Sequence, residues 1–162
     1  MKPGPPLAIT IIGRKVEYQT KPPKGRILAL DLGKKRIGMA LSDPLGITAQ
    51  GLPTLERTRI REDLAALATL IEEREVTLIL MGNPLHMSGA EGRQTVYTRE
   101  FAARLGRLCQ KEVKFWDERL TTVEANRVLR QSGISIEKRA RAVDQLAAVI
   151  LLKSYLEVET LE

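Results

Sequence analysis

Asp31, the Asp117–Glu118 pair and Asp144 are acids set against apolar sequence. Asp31 closes a short apolar run in ILALDLGKKRIG and is followed by Gly33, the cations Lys34, Lys35 and Arg36, and Gly38. Asp117 and Glu118 lie in FWDERLTT, and Asp144 stands among Val143, Ala147, Ala148 and Leu151. A carboxylate in apolar surroundings is costly unless it is paired, protonated or bound to a metal. Three of them gathered together repel one another, and a divalent cation removes the conflict. Mg²⁺ and Mn²⁺ prefer oxygen ligands and leave room for water and phosphate. The cations after Gly33 suit phosphate oxygens, so the chemistry indicated is metal-assisted phosphoryl transfer. Each acid also has a plain structural reading. Asp31 could cap a turn, Asp117 could pair with Arg119, and Asp144 could pair with Arg139 or Arg141 or cap its helix. The combination is more specific than any member.

The elements that must position these acids follow from periodicity. Ile27–Leu32 reads as a buried strand and Arg36–Ser42 as a second, with Asp43-Pro44-Leu45-Gly46 as a turn. Ile47–Leu55 is a third, irregular strand, and the three form a meander. Ile60, Leu64, Leu67 and Ile71 recur at helical spacing and predict a helix from about Arg61 to Arg74. Val76–Met81 is a continuous apolar run, as a fully buried strand requires, and Gly82-Asn83-Pro84 ends it. Tyr97, Phe101, Leu105 and Leu108 mark a second helix, and Glu112–Trp116 a fifth strand. Thr121 or Thr122 caps a helix to Arg130, Gly133 breaks it, and a last helix spans about Lys138–Leu156. The expected fold class is α/β: a mixed sheet with helices on both faces. Residues 1–24 are set apart by five prolines around LAITII and VEYQT. They read as an N-terminal extension, a tail or short hairpin, ahead of one domain over 25–162.

Composition bounds the function. At 162 residues, 43% hydrophobic and 28% charged, the chain fits one globular domain with a real core. No apolar run reaches membrane-span length, and no signal peptide is visible. The single Cys109 excludes an internal disulfide and suits a reducing cytoplasm. A half-buried thiol is expected there. Net charge is +6, but residues 1–24 carry five cations against Glu17, so the remainder is only +2. Local clustering matters more: Lys34, Lys35 and Arg36 form one patch, and Arg127, Arg130, Lys138, Arg139 and Arg141 another. Basic patches beside candidate acids fit a nucleic-acid footprint, although a charge run can equally be a solvated helix face.

DLGKKRIG, GNPLHMSG, DERLTTVEA and VDQLAAVILLKSYL, in that order and spacing, resemble the YqgF/RuvX family. The resemblance spans Ile27 to about Leu156. It implies an RNase H-like five-stranded mixed sheet of order 3-2-1-4-5, with strand 2 antiparallel. It implies that Asp31, Glu118 and Asp144 are the catalytic, metal-holding carboxylates, with Mg²⁺ or Mn²⁺ as cofactor. It further implies a nuclease trimming the 5′ end of pre-16S rRNA, an older proposal being resolution of branched DNA junctions. In resolvases of this fold the second carboxylate ends the fourth strand. Here that place reads Met81-Gly82-Asn83-Pro84, so the second ligand must come from Asp117 or Glu118, one strand further out. The longer Glu118 is favoured. The family usually has Leu at the position of Asn83 and often Asp or Asn at that of Ser88.

Lys35 matches a recurring basic residue, and Arg119 could hold a phosphate oxygen through its fork. Asn83, Thr122 and Arg141 complete the expected substrate contacts, with a plain helix cap as the alternative for Thr122. His86, the only histidine, is expected as an exposed loop residue, and Trp116 as core. Expected partners are RNA, or branched DNA on the resolvase reading, and no membrane. Either a monomer or a homodimer is compatible, junction cutting needing the two-fold pair. Two rivals remain. Actin-like kinases and ATPases also open on DxG, but they duplicate the fold and 162 residues hold one copy. A non-catalytic RNA-binding module would explain the absent acid at Asn83.

Overall fold

The computed structural model of the chain describes residues 8–12, 15–19, 25–83, 92–117, 127, 130 and 135–161. Strands β1 (Ala8–Ile12) and β2 (Lys15–Gln19) pair antiparallel as a separate two-stranded hairpin. The main sheet comprises β3 (Arg26–Leu32), β4 (Arg36–Ser42), β5 (Ala49–Glu56), β6 (Val76–Asn83) and β7 (Glu112–Asp117), ordered β5-β4-β3-β6-β7. Counted from β3 this is 3-2-1-4-5. β4 runs antiparallel to both neighbours, and β3, β6 and β7 are mutually parallel. The helices are α1 (Ile60–Glu73), α2 (Arg93–Cys109) and α3 (Ile136–Leu161). Arg127 and Arg130 are helical, while the rest of the helix expected from Thr121 or Thr122 lies outside the described residues.

Strand alternation divides the core in two. Leu28, Leu30, Ile37, Met39, Leu41, Ile79 and Met81 pack on one face with Leu64, Leu67 and Ile71 of α1 and Phe101 and Leu105 of α2. Ile27, Ala29, Ala40 and Leu80 pack on the other with Ala148, Leu151, Leu152 and Tyr155 of α3. Every strand in the middle of the sheet is therefore apolar on both faces, which is why the sequence reads as continuous hydrophobic runs there. Trp116 joins the α3 side: its indole N–H donates to Ser154 Oγ at 3.1 Å, and its ring meets Tyr155 edge-on at 5.1 Å. This matches its expected packing role. Cys109 is half-buried, as expected.

The β4–β5 turn is built on one carboxylate. Asp43 Oδ1 accepts from the Ile47 and Thr48 amides, both at 2.7 Å, and from Thr48 Oγ1 at 3.2 Å, while Oδ2 accepts from the Leu45 amide at 3.2 Å. Burial alone would raise the Asp43 carboxyl, but these bonds outweigh it and hold it below the ordinary carboxylate range. A depressed folded value means the stabilisation is present at neutral pH and lost as pH falls through that value. Asp43→Ala should cost about 1 kcal/mol of stability in urea unfolding at pH 7. The difference from wild type should shrink as pH falls below the ordinary aspartate value of about 3.9. A gap that stays constant well below that pH would show that the ionised carboxylate does not hold the turn.

Candidate active site

Parallel β3, β6 and β7 all end at the same sheet edge, since Leu30 pairs with Met81, Gly82 with Trp116 and Asn83 with Asp117. The end of β6 carries Gly82 and Asn83 and no acid. An acid at the end of β7 therefore stands two inter-strand steps, about 9.5 Å, from β3. Asp31 sits at that edge on β3, half-buried, on the same face as Ile27 and Ala29 and hence on the α3 side.

A glycine lets the backbone of Asp144 come up against the strand that pairs with Asp31. Asp31 and Gly38 are register partners across β3 and β4. A Cβ on Gly38 would lie 1.9 Å from the Asp144 carbonyl oxygen, 2.5 Å from its carbonyl carbon and 3.2 Å from its Cα. The backbone of α3 thus rests directly on Gly38, and any side chain there would lift the helix off the sheet. Asp31 and Asp144 stand against one and the same glycine. Further along, Gln145 Nε2 donates to the Leu52 carbonyl at 2.9 Å, tying α3 to β5 as well.

Asp144 does not pair with Arg139 or Arg141, the local partners considered from sequence. Its Oδ2 accepts from Arg36 Nε at 2.9 Å, across 108 residues. The two side chains are 25% and 21% exposed, enough burial for the pair to matter. Burial pushes the Asp144 carboxyl up, Arg36 pulls it down by hydrogen bond and charge, and Glu56 pushes it up again. The net result is a carboxyl above its ordinary range. Arg36 therefore leaves the basic triplet read from sequence and serves the acid, while Lys34 and Lys35 stay exposed at the turn. Gly33 is needed there because a Cβ would sit 2.7 Å from the Arg36 carbonyl oxygen, to which the Gly33 amide donates at 3.0 Å.

Arg141 is exposed and meets Glu56 at 3.5 Å. Exposed pairs of this kind are worth little, so Glu56 does not tie Arg141 down. With Lys138, Thr54 and Gln145 it lines a groove of about 510 Å³ between β5 and α3. Glu118, Arg119, Thr122, His86 and Ser88 lie outside the described residues, as do the side chains of Asn83 and Asp117. Among the described residues no three acidic, histidine or cysteine side chains gather into a metal-binding group. No described helix is long and apolar enough to cross a membrane.

Sequence reasoning did not find Arg57, which lies beneath the Gly33 turn. Its guanidinium donates to the Gly33 carbonyl at 3.0 Å and to the buried Asp63 at 3.2 Å. The signal was there: Asp63 falls on the apolar stripe formed by Ile60, Leu64 and Leu67, and a buried acid demands a cation.

The family described as "RuvX: Holliday junction resolvase" matches residues 25–158. A Koribacter versatilis protein named "Putative pre-16S rRNA nuclease" is 58% identical over 133 residues, covering 82% of this chain and 87% of its own. A Myxococcus xanthus protein of the same name is 46% identical over 132 residues, with the same coverage. Among solved structures, Thermus thermophilus RuvC in complex with a Holliday junction superposes with a TM-score of 0.53 at 10% identity. It covers 83% of this chain and 95% of RuvC, a likeness of fold. With the family match, the sheet order and these relatives in agreement, the chain belongs to the RuvX family.

Proposed function

We propose that this protein is a metal-dependent endonuclease that trims the 5′ end of pre-16S rRNA. The observation that carries the chemistry is the seating of Asp144 on Gly38, against the register partner of Asp31. The substrate rests on the relatives named for pre-16S rRNA. Carboxylate oxygens at a sheet edge fit a hard divalent cation. Burial raises the Asp144 carboxyl and Arg36 offsets this only in part, so a cation beside the carboxylate would favour its ionised form. Asp31 and Asp144 would hold Mg²⁺ or Mn²⁺, with Glu118 as the third carboxylate. Glu118 is preferred to Asp117 because its longer side chain can cover more of the gap from β7 to β3.

When bound, the cation would supply a hydroxide-like water near neutral pH and offset charge on the phosphate. The chain's own residues do the rest. Arg36 fixes one oxygen of Asp144 and so orients the other. Lys35 and Arg119 hold non-bridging phosphate oxygens as charge builds. Asn83, Thr122 and Arg141 would supply further contacts to the strand. Cleavage leaves a 5′-phosphate and a 3′-hydroxyl. A site of this kind works in the cytoplasm, on ribosomal precursors.

The family description and the RuvC fold favour branched DNA as the second reading. One paired assay separates them: an RNA carrying the precursor 16S 5′ extension and a four-way DNA junction, each with Mg²⁺, Mn²⁺ or chelator. The expected result is metal-dependent cut RNA with wild type, loss of about 10²-fold or more in Asp144→Asn, and an intact junction. A cut junction with intact RNA would replace the rRNA reading with the resolvase one. Binding without cleavage by any metal-loaded protein would make the chain a non-catalytic module.

A further inference from the structure

We propose that Arg57 is a positioning residue of the cleavage site, an inference that rests on the nuclease reading above. Arg57 follows β5, and its guanidinium is used on every side. Nε donates to Asp63 Oδ2 at 3.2 Å, one terminal nitrogen donates to the Gly33 carbonyl at 3.0 Å, and the other donates to the Tyr97 hydroxyl. The guanidinium carbon lies 5.2 Å from the Tyr97 ring centre and 5.6 Å from that of Phe101. The Arg57 amide donates to the Lys35 carbonyl at 2.9 Å. Asp63 is held in turn: its Oδ1 accepts from the Thr58 amide at 3.0 Å. The Arg57 and Asp63 side chains are 11% and 2% exposed.

This knot costs desolvation, and apolar side chains of like size could fill the same space without that cost. What they could not do is reach three elements from one rigid plane. A guanidinium presents five donors in a fixed fork, and here the fork joins α1 through Asp63, α2 through Tyr97 and the β3–β4 turn through Gly33. That turn carries Asp31 at its entry and Lys34 and Lys35 at its tip, and neither lysine is buried. The turn is fixed from beneath, by Arg57 and by Gln94 Nε2, which donates to the Leu32 carbonyl at 3.5 Å. Arg57 touches neither metal nor substrate; it sets where the touching residues stand. A misplacement of about 1 Å at such a site costs about 10²-fold in rate.

The test uses Arg57→Lys, which keeps the charge opposite Asp63 but loses the fork, and Tyr97→Phe, which keeps the ring but loses one acceptor. In the full-length protein with Mn²⁺ and the precursor RNA, Arg57→Lys should lower kcat about 10²-fold with KM changed less than about threefold. Tyr97→Phe, which carries little risk to folding, should lower kcat by a smaller factor, about three- to tenfold. Hydrogen exchange without metal or RNA gives the second reading. In both variants the Gly33 and Arg57 amides should exchange at least about tenfold faster, while amides of the β3 core such as Leu30 stay protected. Unchanged kcat in folded variants, or exchange rising equally across β3, overturns the positioning role and leaves Arg57 as bulk stabilisation. A wild type that cuts no RNA while the Gly33 amide still loosens in the variants would sink the nuclease reading and keep Arg57 as the anchor of the turn. No local loosening sinks the anchor whatever the RNA result.

Discussion

Asp31→Asn is expected to abolish cleavage while leaving the protein folded. The substitution keeps the size and shape of the side chain, removes its charge and turns one acceptor oxygen into an NH₂ donor, so the sheet edge has no steric reason to rearrange. The loss falls on the metal. Charge stabilisation by a bound cation is worth several kcal/mol, and each 1.36 kcal/mol is tenfold, so the rate should fall by about 10³-fold or more. Mn²⁺ binding by calorimetry should weaken in parallel, and the thermal midpoint without metal should not fall. Near-full activity in folded Asp31→Asn would remove the metal-carboxylate mechanism altogether.

Gly38→Ala is expected to be the most damaging single methyl that can be added to this chain's active-site edge. The new Cβ would meet a helix carbonyl at 1.9 Å, and the nearest atoms are backbone, which no rotamer change can move. Either α3 lifts from β4 or the strand bends. Overpacking of this kind costs about 3 kcal/mol, the upper part of its usual range. Asp144 would leave its place beside Asp31, so cleavage should fall even at temperatures where the variant stays folded. Gly92→Ala is the matching control, because a Cβ there meets nothing within 4 Å. It should cost no more than about 1 kcal/mol, as an N-cap change. Equal urea midpoints for the Gly38 and Gly92 variants would show that α3 does not rest on Gly38.

Asp144 and Gly38 are illegible in the sequence because their partners are distant in the chain. Asp144 was weighed against Arg139 and Arg141 because they are near in sequence, yet its partner is Arg36. Asp63 marks its need for a cation by lying on an apolar stripe, but spacing does not choose Arg57, six residues before it, over Arg59 or Arg61. Gly38 looked like the tail of a phosphate-binding turn. Its actual burden is the approach of a helix more than a hundred residues away.

Local sequence carries the order of the described elements, the mixed α/β sheet, the edge position of Asp31 and the absence of an acid at the end of β6. These are local properties: period-two and period-3.6 patterns, and the residue type at the end of an apolar run. The tertiary contacts add that the Asp144 backbone rests on Gly38, the register partner of Asp31, that Arg36 belongs to Asp144, and that Arg57 holds the turn from below. Such contacts depend on how close two backbones come and which side chain fills the space between them, and no spacing along one chain encodes that distance.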